Sequence, residues 1–245
     1  MRRRTPRIRV FVNEGNTAMN SLRDPNVKGV LDELHAAAKR DVPKFALLIP
    51  KVLFGRLTGK SFGEIATPES MKEFYIPVDP EQGQLLYHMA RAIDAKTIVE
   101  FGTSFGISTI YLAAAVKDNG GGTVIGTELV ESKHAKAIEN IKRAGLGDYV
   151  DVRLGDALET LKHIDTPVDF VLLDGWKDLY LDVLETLRPS LRQGAVVIAD
   201  NIFTFKKDLR PYVDYVQSGQ NGFESCTLPF SHGFEFSVYQ GNGKE

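Results

Sequence analysis

From residue 96 to residue 199 the chain alternates short apolar runs with amphipathic segments, and this alternation restricts the fold more than any other feature. The apolar runs are rich in Val and Ile, as buried strands are. They predict strands at 97–101, 123–127, 150–154, 168–173 and 195–199, with helices at 106–116, 131–144, 157–163 and 178–187. Such strands between helices predict a parallel sheet that is covered on both faces.

The C-terminal part of the chain breaks this pattern. After a predicted helix at 209–216, strands are expected at 223–227 and 235–239, with a turn at 231–233. Two strands without a helix between them predict an antiparallel pair at one edge of the sheet. The expected fold is therefore α/β: a Rossmann-like, seven-stranded, mostly parallel sheet with an antiparallel C-terminal edge pair, helices on both faces and extra N-terminal helices.

The N-terminal third is expected to decorate this sheet. Helical spacing of apolar residues predicts helices at 27–39 and 81–93, while the Gly- and Pro-containing stretch 55–80 predicts a surface loop or lid. We expect three parts, which are a basic arm at 1–24, N-terminal helices with a lid or substrate loop at 25–79, and a cofactor-binding domain at 80–245. The arm, rich in Arg, is expected to be a solvated tail or a docking arm, because no apolar signal region follows it.

Composition narrows the range of partners. The net charge of the 245-residue chain is −2, which gives no electrostatic case for nucleic acid. No run approaches the ~18–20 apolar residues that cross a bilayer, so no membrane partner is expected. The one cysteine, Cys226, allows no internal disulfide and is expected to be a small core or interface residue in a cytoplasmic protein.

Oxygen-bearing side chains follow the fourth and fifth predicted strands. Asp174 comes directly after the fourth strand, and Asp200 and Asn201 follow the fifth. Since parallel strands end at the same edge of a sheet, two carboxylates and an amide are expected to meet there as hard donors suited to Mg²⁺. Lys177, three residues after Asp174, is then a candidate general base. The alternative is a helix cap, a surface lysine and a turn, and Trp176 fits a core anchor as well as a substrate wall.

A glycine turn joins the first strand to the first helix of the alternating region. Gly102 permits a sharp turn, and Gly106 permits the helix start to lie close to a ligand. The dinucleotide-binding pattern G-x-G-x-x-G is not present. Glu128 follows the second strand, where a carboxylate can accept both hydroxyl hydrogens of a ribose. Asp156, after the third strand, could accept from an adenine amine or cap the next helix.

Together, these motifs resemble the class I S-adenosylmethionine-dependent methyltransferases, and the paired acidic motifs are similar to the metal-dependent O-methyltransferases of the catechol and caffeoyl-CoA type. The resemblance runs from about residue 80 to residue 203. It implies that Gly102, Thr103 and Ser104 border the methionine part of the cofactor, Ser108 its carboxylate, Glu128 the ribose, and Leu129, Asp156 and Ala157 the adenine. It further implies that Asp174, Asp200 and Asn201 bind a divalent metal, Lys177 is the base, and Asp174 and Trp176 also contact the cofactor.

Two positions depart from the family pattern. Gly175 stands where the catechol enzyme has a histidine that contacts the cofactor. Near the C terminus, where that enzyme has a glutamate for the second substrate hydroxyl, this chain has Cys226 with Glu224 nearby. That role is therefore carried over to no residue here.

The resulting hypothesis is a methyltransferase that uses S-adenosylmethionine and Mg²⁺, or another divalent cation, on a hydroxyl of a small molecule with vicinal oxygens. The alternatives are a nicotinamide-dependent oxidoreductase on the same sheet and a non-catalytic S-adenosylmethionine-binding protein. Methylation of amines would need an Asn-Pro-Pro-Tyr-like motif where this chain has Asp174-Gly175-Trp176-Lys177. A homodimer formed through the N-terminal arm and first helix is a further expectation.

Overall fold

The computed structural model describes residues 20–46, 57–58 and 78–241. The strands of this part are β1 (Thr97–Phe101), β2 (Thr123–Glu128), β3 (Val150–Leu154), β4 (Val168–Leu173), β5 (Leu191–Ala199), β6 (Phe223–Leu228) and β7 (Phe234–Tyr239). They form one seven-stranded sheet in the order β3–β2–β1–β4–β5–β7–β6. The first five strands are parallel, and β7 is antiparallel to both β5 and β6. The predicted Rossmann-like sheet with an antiparallel edge pair is confirmed.

The α-helices of the described residues connect and cover these strands. They are α1 (Pro25–Ala46), α2 (Pro80–Ala92), α3 (Ile107–Asp118), α4 (Glu131–Arg143), α5 (Ala157–Thr160), α6 (Tyr180–Leu187) and α7 (Arg210–Gln217). The start of α2 is fixed by a capping box, in which the Asp79 carboxylate accepts from the backbone N–H of Gln82 over 2.8 Å. In return, the side-chain oxygen of Gln82 accepts from the backbone N–H of Asp79 over 2.9 Å.

Apolar side chains pack on both faces of the sheet. The adjacent β1 residues Ile98 and Val99 are both fully buried, but they belong to different core clusters. The cluster around Ile98 includes residues of α1, α2, α3 and α4, and the cluster around Val99 includes residues of α5, α6 and α7. Because successive strand residues point to opposite faces, burial on both sides explains why the central strands β1 and β4 consist mostly of apolar residues.

Three element boundaries differ from the predictions by three residues or more. Helix α1 runs to Ala46, beyond the predicted residue 39. Strand β5 begins at Leu191, not at residue 195, and includes Gly194, whose φ of 78° is in the left-handed region. Gly194 and its polar neighbours interrupt the apolar pattern that predicts a strand. Helix α5 ends at Thr160, short of the predicted residue 163.

The N-terminal predictions fall largely outside the described residues, which exclude 1–19, 47–56 and 59–77 and so most of the arm and the lid. Of the predicted arm, Ser21–Arg23 forms a 3-10 turn. The Ser21 hydroxyl donates to the Asp118 carboxylate at the end of α3 over 2.6 Å. The division into three parts stays a prediction. No helix in the described residues combines the length and the apolar character that crossing a membrane requires.

Candidate active site

A cleft of about 310 Å³ opens at the carboxyl ends of the parallel strands. Its walls come from the segments that follow β1, β2, β3, β4 and β5. The lining residues are Phe101, Gly102, Ser104, Thr127, Glu128, Leu129, Val130, Lys133, Gly155, Asp156, Ala157, Asp174, Gly175, Trp176, Lys177, Leu179, Asn201 and Phe205. Most of the residues that the sequence predicted for the site are therefore brought together in one cavity.

The glycine turn forms the floor of the cleft. Gly102 has a φ of 103°, and a Cβ there would lie 2.7 Å from the Cα of Gly175, so two backbone segments meet too closely for a side chain. Gly106 has a φ of 86° just before α3, and it is absent from the cleft lining. A left-handed backbone conformation, rather than approach to a ligand, therefore explains the glycine at position 106.

The Glu128 carboxylate is held in place before any ligand arrives. One oxygen accepts from the backbone N–H of Ser104 and the other from that of Val130, both over 2.8 Å. Burial raises the pKa of Glu128, while these amides and the charge of Lys133 oppose that shift. Each oxygen keeps a further lone pair for a hydroxyl donor. The Ser104 hydroxyl is buried without a hydrogen-bond partner among the described residues, which fits a polar ligand in the cleft.

At the β3 end of the cleft, the position of Asp156 agrees with both roles considered from the sequence, which are a contact to adenine and a helix cap. Its carboxylate accepts from the backbone N–H of Leu158 over 2.9 Å and so caps α5, and it also lines the cleft. Ala157 and Leu129 also line the cleft here, and Leu129 is 48% exposed. This apolar, partly open end has the character expected for an adenine site, and that role stays a prediction.

Two predicted cofactor residues lie beneath the cleft and do not line it. The Thr103 hydroxyl donates to the Glu100 carboxylate over 3.0 Å. Ser108 is buried and also hydrogen-bonds Glu100, and Thr109 donates to the same carboxylate. Burial raises the pKa of Glu100 to about 7, although these hydroxyls oppose the shift. As the structure stands, Thr103 and Ser108 support a buried carboxyl group.

Lys177 and Asp174 face each other at the end of β4. The Nζ atom of Lys177 lies 3.1 Å from Oδ1 of Asp174 and 2.7 Å from the hydroxyl of Tyr180. That hydroxyl donates to the backbone carbonyl of Asp200 over 3.3 Å. Burial, followed by the charges of Asp174 and Asp200, raises the pKa of Tyr180 well above its usual range, so Tyr180 stays neutral and holds the lysine in place.

Asp200 directly follows β5, is 2% exposed and, unlike Asp174 and Asn201, does not line the cleft. Its Oδ1 accepts from the side-chain amide of Gln82 over 3.1 Å and from the backbone N–H of Asn201 over 2.5 Å. Burial and then the charge of Asp174 raise the pKa of Asp200 to about 7. Burial also raises the pKa of Asp174, against the effect of Lys177. Two buried carboxylates that disfavour each other's charge are a site where a cation would be stabilising.

Asn201 would have to supply the third donor of such a metal site. It has a φ of 68°, which directs the chain away from β5, and it lines the cleft together with Asp174. In the described part of the chain, no group of three or more His, Cys, Asp or Glu residues is placed to hold a metal ion. The side chains that would bind a metal are two carboxylates and an amide, and their hard oxygen donors are chemically suited to Mg²⁺.

The departures from the family pattern have structural consequences. A Cβ on Gly175 would lie 2.6 Å from the ring of Phe101, so a larger residue does not fit the present packing. Trp176 lines the cleft, which fits a substrate wall, and also packs against the core beneath it. Cys226 is exposed, so its expected core position is wrong, while an interface position stays a prediction. Neither Cys226 nor Glu224 lines the cleft, because both lie on the edge strand β6.

The structure adds residues that the sequence did not single out. Lys133 and Phe205 line the cleft, and Gln82 bonds Asp200. His232 in the β6–β7 turn lies near enough for its charge to act on Asp174. The capping box at Asp79 was a sequence signal for the start of α2. No sequence signal linked that box to Asp200, since 118 residues separate the two partners.

Comparison with known proteins places these features in a family. A methyltransferase-domain family model matches residues 99–202. Catechol O-methyltransferases from Niastella koreensis and Mycobacterium tuberculosis are 34% and 36% identical to the chain over 145 and 129 residues, or 56% and 52% of its length. The chain spans 65% and 57% of the length of these two relatives. Catechol O-methyltransferase of Mus musculus is 30% identical over 190 residues, which are 71% of this chain and 69% of that protein.

Structural comparison agrees on the fold. The O-methyltransferase from Bacillus cereus in complex with SAH superposes with a TM-score of 0.62 at 24% identity, over 87% of this chain and 99% of that one. These similarities are to methyltransferases and give no support to the nicotinamide-dependent alternative. The family model covers the β1–β5 region that builds the cleft, and the Mus musculus relative is matched over more than two thirds of its length. The chain belongs to the class I S-adenosylmethionine-dependent O-methyltransferase family.

Proposed function

We propose that the protein transfers a methyl group from S-adenosylmethionine to a hydroxyl of a small molecule with vicinal oxygens, assisted by a divalent cation. The observation that carries this proposal is that Asp174, Lys177 and Glu128 line one cleft, with Asp200 buried next to the first two. A carboxylate prepared for a ribose and a separate polar cluster for an acceptor are what methyl transfer to oxygen requires.

The cofactor would occupy the end of the cleft lined by Gly102, Ser104 and Glu128. S-adenosylmethionine supplies a methyl group on a positively charged sulfur. Glu128 would accept the ribose hydroxyls, and the buried Ser104 hydroxyl would gain the hydrogen-bond partner that it lacks. Leu129 and Ala157 would contact the adenine. Trp176 would wall the space between donor and acceptor and exclude water from it.

The acceptor would bind at the acidic end. Asp174, Asp200 and Asn201 would hold the divalent cation, whose positive charge would stabilise the acceptor oxyanion. Lys177 would take the proton from the acceptor hydroxyl, and Tyr180 and Asp174 orient its amine for that task. The acceptor oxygen would then bond to the methyl carbon as the bond between that carbon and the sulfur breaks, and S-adenosylhomocysteine would be left. Holding the reactants in contact contributes up to roughly 7–11 kcal/mol to such a step.

The acceptor class is best tested by a methyl-transfer screen. The full chain would be assayed with S-adenosylmethionine and catechols, hydroxycinnamoyl compounds, flavonoids or cyclic enediols, with Mg²⁺ or with a chelator. We expect transfer to vicinal diols that depends on Mg²⁺ and is lost in Asp200→Asn. Asp178→Asn, at an exposed position after β4, is the matched control and should keep activity. Full transfer in chelator would remove the metal from the proposal, and no transfer to any acceptor would reject the substrate class.

The expectations about cellular location, binding partners and oligomeric state are proposals too. A cytoplasmic location fits a chain with a single exposed cysteine. Absence of nucleic-acid and membrane partners is consistent with the net charge of −2. A homodimer formed through α1 and the preceding arm would be seen as a doubled mass in light scattering of the full chain.

A further inference from the structure

The side chain of Lys133 lines the cofactor end of the cleft, and its ammonium group finds no hydrogen-bond acceptor among the described residues. Lys133, in the first turn of α4, is 7% exposed and lines the cleft close to Glu128. Its Nζ lies 5.3 Å from the centre of the Phe105 ring, and no oxygen among the described residues accepts a hydrogen bond from it. Lys133 has no part in the mechanism above.

Such a group is costly to bury. A lysine ammonium is a donor of three hydrogen bonds, and lysine is rarely buried unless it is paired. The contact with Phe105 contributes on the order of 1 kcal/mol, and the charge of Glu128 adds attraction. Burial lowers the pKa of Lys133, while the charge of Glu128 opposes this shift. Because no described residue accepts from the ammonium group, its donors are available to a ligand in the cleft.

The ligand expected at Glu128 carries such an acceptor. A ribose hydroxyl that donates to a carboxylate still has two lone pairs of its own. Backbone amides of Ser104 and Val130 fix the Glu128 carboxylate but donate to it alone. Lys133 is the cleft-lining cation beside this carboxylate, so it is placed to donate to the hydroxyl oxygen from the other side.

We propose that Lys133 is a second ribose-binding residue, which donates a hydrogen bond to a hydroxyl oxygen of the ribose that Glu128 binds. This inference rests on the proposed function, since it requires an adenosyl ligand in the cleft. The pair discriminates by complementary chemistry: the carboxylate accepts from the hydroxyl and the ammonium donates to it. A phosphate on the same hydroxyl is excluded, because it would face the Glu128 carboxylate.

The test compares ligands that differ by one hydroxyl. Binding of S-adenosylhomocysteine and of its 2′-deoxy and 3′-deoxy analogues to the full chain would be measured by isothermal titration. Lys133→Met should weaken S-adenosylhomocysteine about 10-fold or more, the range for a hydrogen bond to a charged group. Against the analogue that lacks the contacted hydroxyl, the same substitution should have little effect. The matched control is Lys136→Met, one turn further along α4, where the lysine is 39% exposed and pairs with Glu139.

Stability separates a binding role from a structural one. Replacing an unpaired buried charge by an apolar residue of similar length is neutral or stabilising, so Lys133→Met should keep or raise the melting temperature while it weakens binding. A structural lysine would lower the melting temperature and weaken all three ligands equally, which would overturn the proposal. Lys133→Gln, which keeps a donor, should recover part of the affinity.

A direct contact is also distinguishable from an effect through Glu128. In a Glu128→Gln background, Lys133→Met should still weaken S-adenosylhomocysteine, because the hydrogen bond to the ribose does not need the carboxylate charge. If the effect vanishes there, Lys133 acts only on Glu128 and the proposal is wrong. If wild-type protein binds S-adenosylhomocysteine and Lys133→Met binds it equally well, this inference alone fails. If the wild type binds none of the three ligands, the proposed function fails with it.

Discussion

The side-chain amide of Gln82 donates a hydrogen bond to Oδ1 of Asp200 over 3.1 Å, and both residues are buried. The other end of the amide accepts from the backbone N–H of Asp79 and so belongs to the capping box of α2. On the surface, Asp79 accepts from the Ser231 hydroxyl of the β6–β7 turn over 2.7 Å. A continuous chain of hydrogen bonds therefore joins an exposed turn, a helix start and a buried carboxylate of the candidate metal site.

Loss of the Gln82 amide should remove a hydrogen bond that positions the Asp200 carboxylate. Gln82→Met removes the donor to Asp200 and the acceptor of the capping box, so we expect the free energy of unfolding to fall by about 1–3 kcal/mol. Divalent-cation affinity, followed by the fluorescence of Trp176, the one tryptophan of the chain, should fall as well. Gln84→Met makes the same change at an exposed position two residues on, and should leave both quantities unchanged. Wild-type cation affinity in Gln82→Met would show that Asp200 needs no such support.

Lys177 should affect turnover far more than cofactor binding. Lys177→Met removes the proposed base but leaves the cofactor end of the cleft intact, so we expect kcat to fall by about 10²–10⁴-fold. Affinity for S-adenosylhomocysteine, measured by calorimetry, should change little. Lys162→Met, at a side chain that is 50% exposed, is the control for loss of a lysine. A kcat within error of wild type would assign the proton transfer to another group.

Stability should depend on pH through Glu100. Burial raises its pKa to about 7, so the folded protein holds this proton more tightly than the unfolded chain, whose carboxyl titrates near 4.5. The group causes no penalty below pH 4.5, and the cost grows as pH rises towards 7, to about 3 kcal/mol. Glu100→Gln should therefore become more stable relative to wild type over this range.

Urea unfolding of wild type and Glu100→Gln at several pH values between 4.5 and 8 measures this difference. Other titrating groups, including Asp174 and Asp200, are present in both proteins and largely cancel. Glu159→Gln, whose side chain is 67% exposed, should show no such trend. A stability difference independent of pH would mean that Glu100 is ionised in the folded state at every pH tested.

Gly175 should be intolerant of any side chain. Because a Cβ would lie 2.6 Å from the Phe101 ring, which itself packs on Tyr180, Gly175→Ala should destabilise the protein by about 1–3 kcal/mol. Gly29→Ala, in α1 with open space around the added methyl, should instead stabilise it by about 0.5–1 kcal/mol. Denaturant unfolding compares the two. If Phe101→Leu does not restore part of the stability of Gly175→Ala, the clash lies elsewhere.

Local patterns predicted several of the parallel strands well. The bounds of β1, β3 and β4 match the predictions. Strands β1 and β4 are short, mostly apolar segments, and β3 alternates apolar with charged residues. Strand β5 was predicted four residues too short, since Gly194 and its polar neighbours carry no strand pattern. In the structure that segment is strand because it pairs with β4, which is a tertiary interaction.

Residues at strand ends were also predictable. Asp174 follows β4 and Asp200 follows β5, and parallel neighbours end together, so their proximity followed from strand order. Thr103 and Ser108 show the limit of this reasoning. They lie in the expected turn and helix, but their hydroxyls bond Glu100 instead of lining the cleft. The direction in which a side chain points depends on its neighbours in space.

The amino-acid sequence alone determined the order of strands and helices, the edge of the sheet that carries the chemistry, and the oxygen donors found there. These are local properties, since they depend on apolar periodicity and on which residues follow each strand. Only the tertiary structure decided that Gln82 bonds Asp200, that Lys133 is buried beside Glu128, and that Gly175 packs on Phe101. The first and the last of these relationships join residues far apart in the chain, and burial, which decides the second, exists only once the chain is folded.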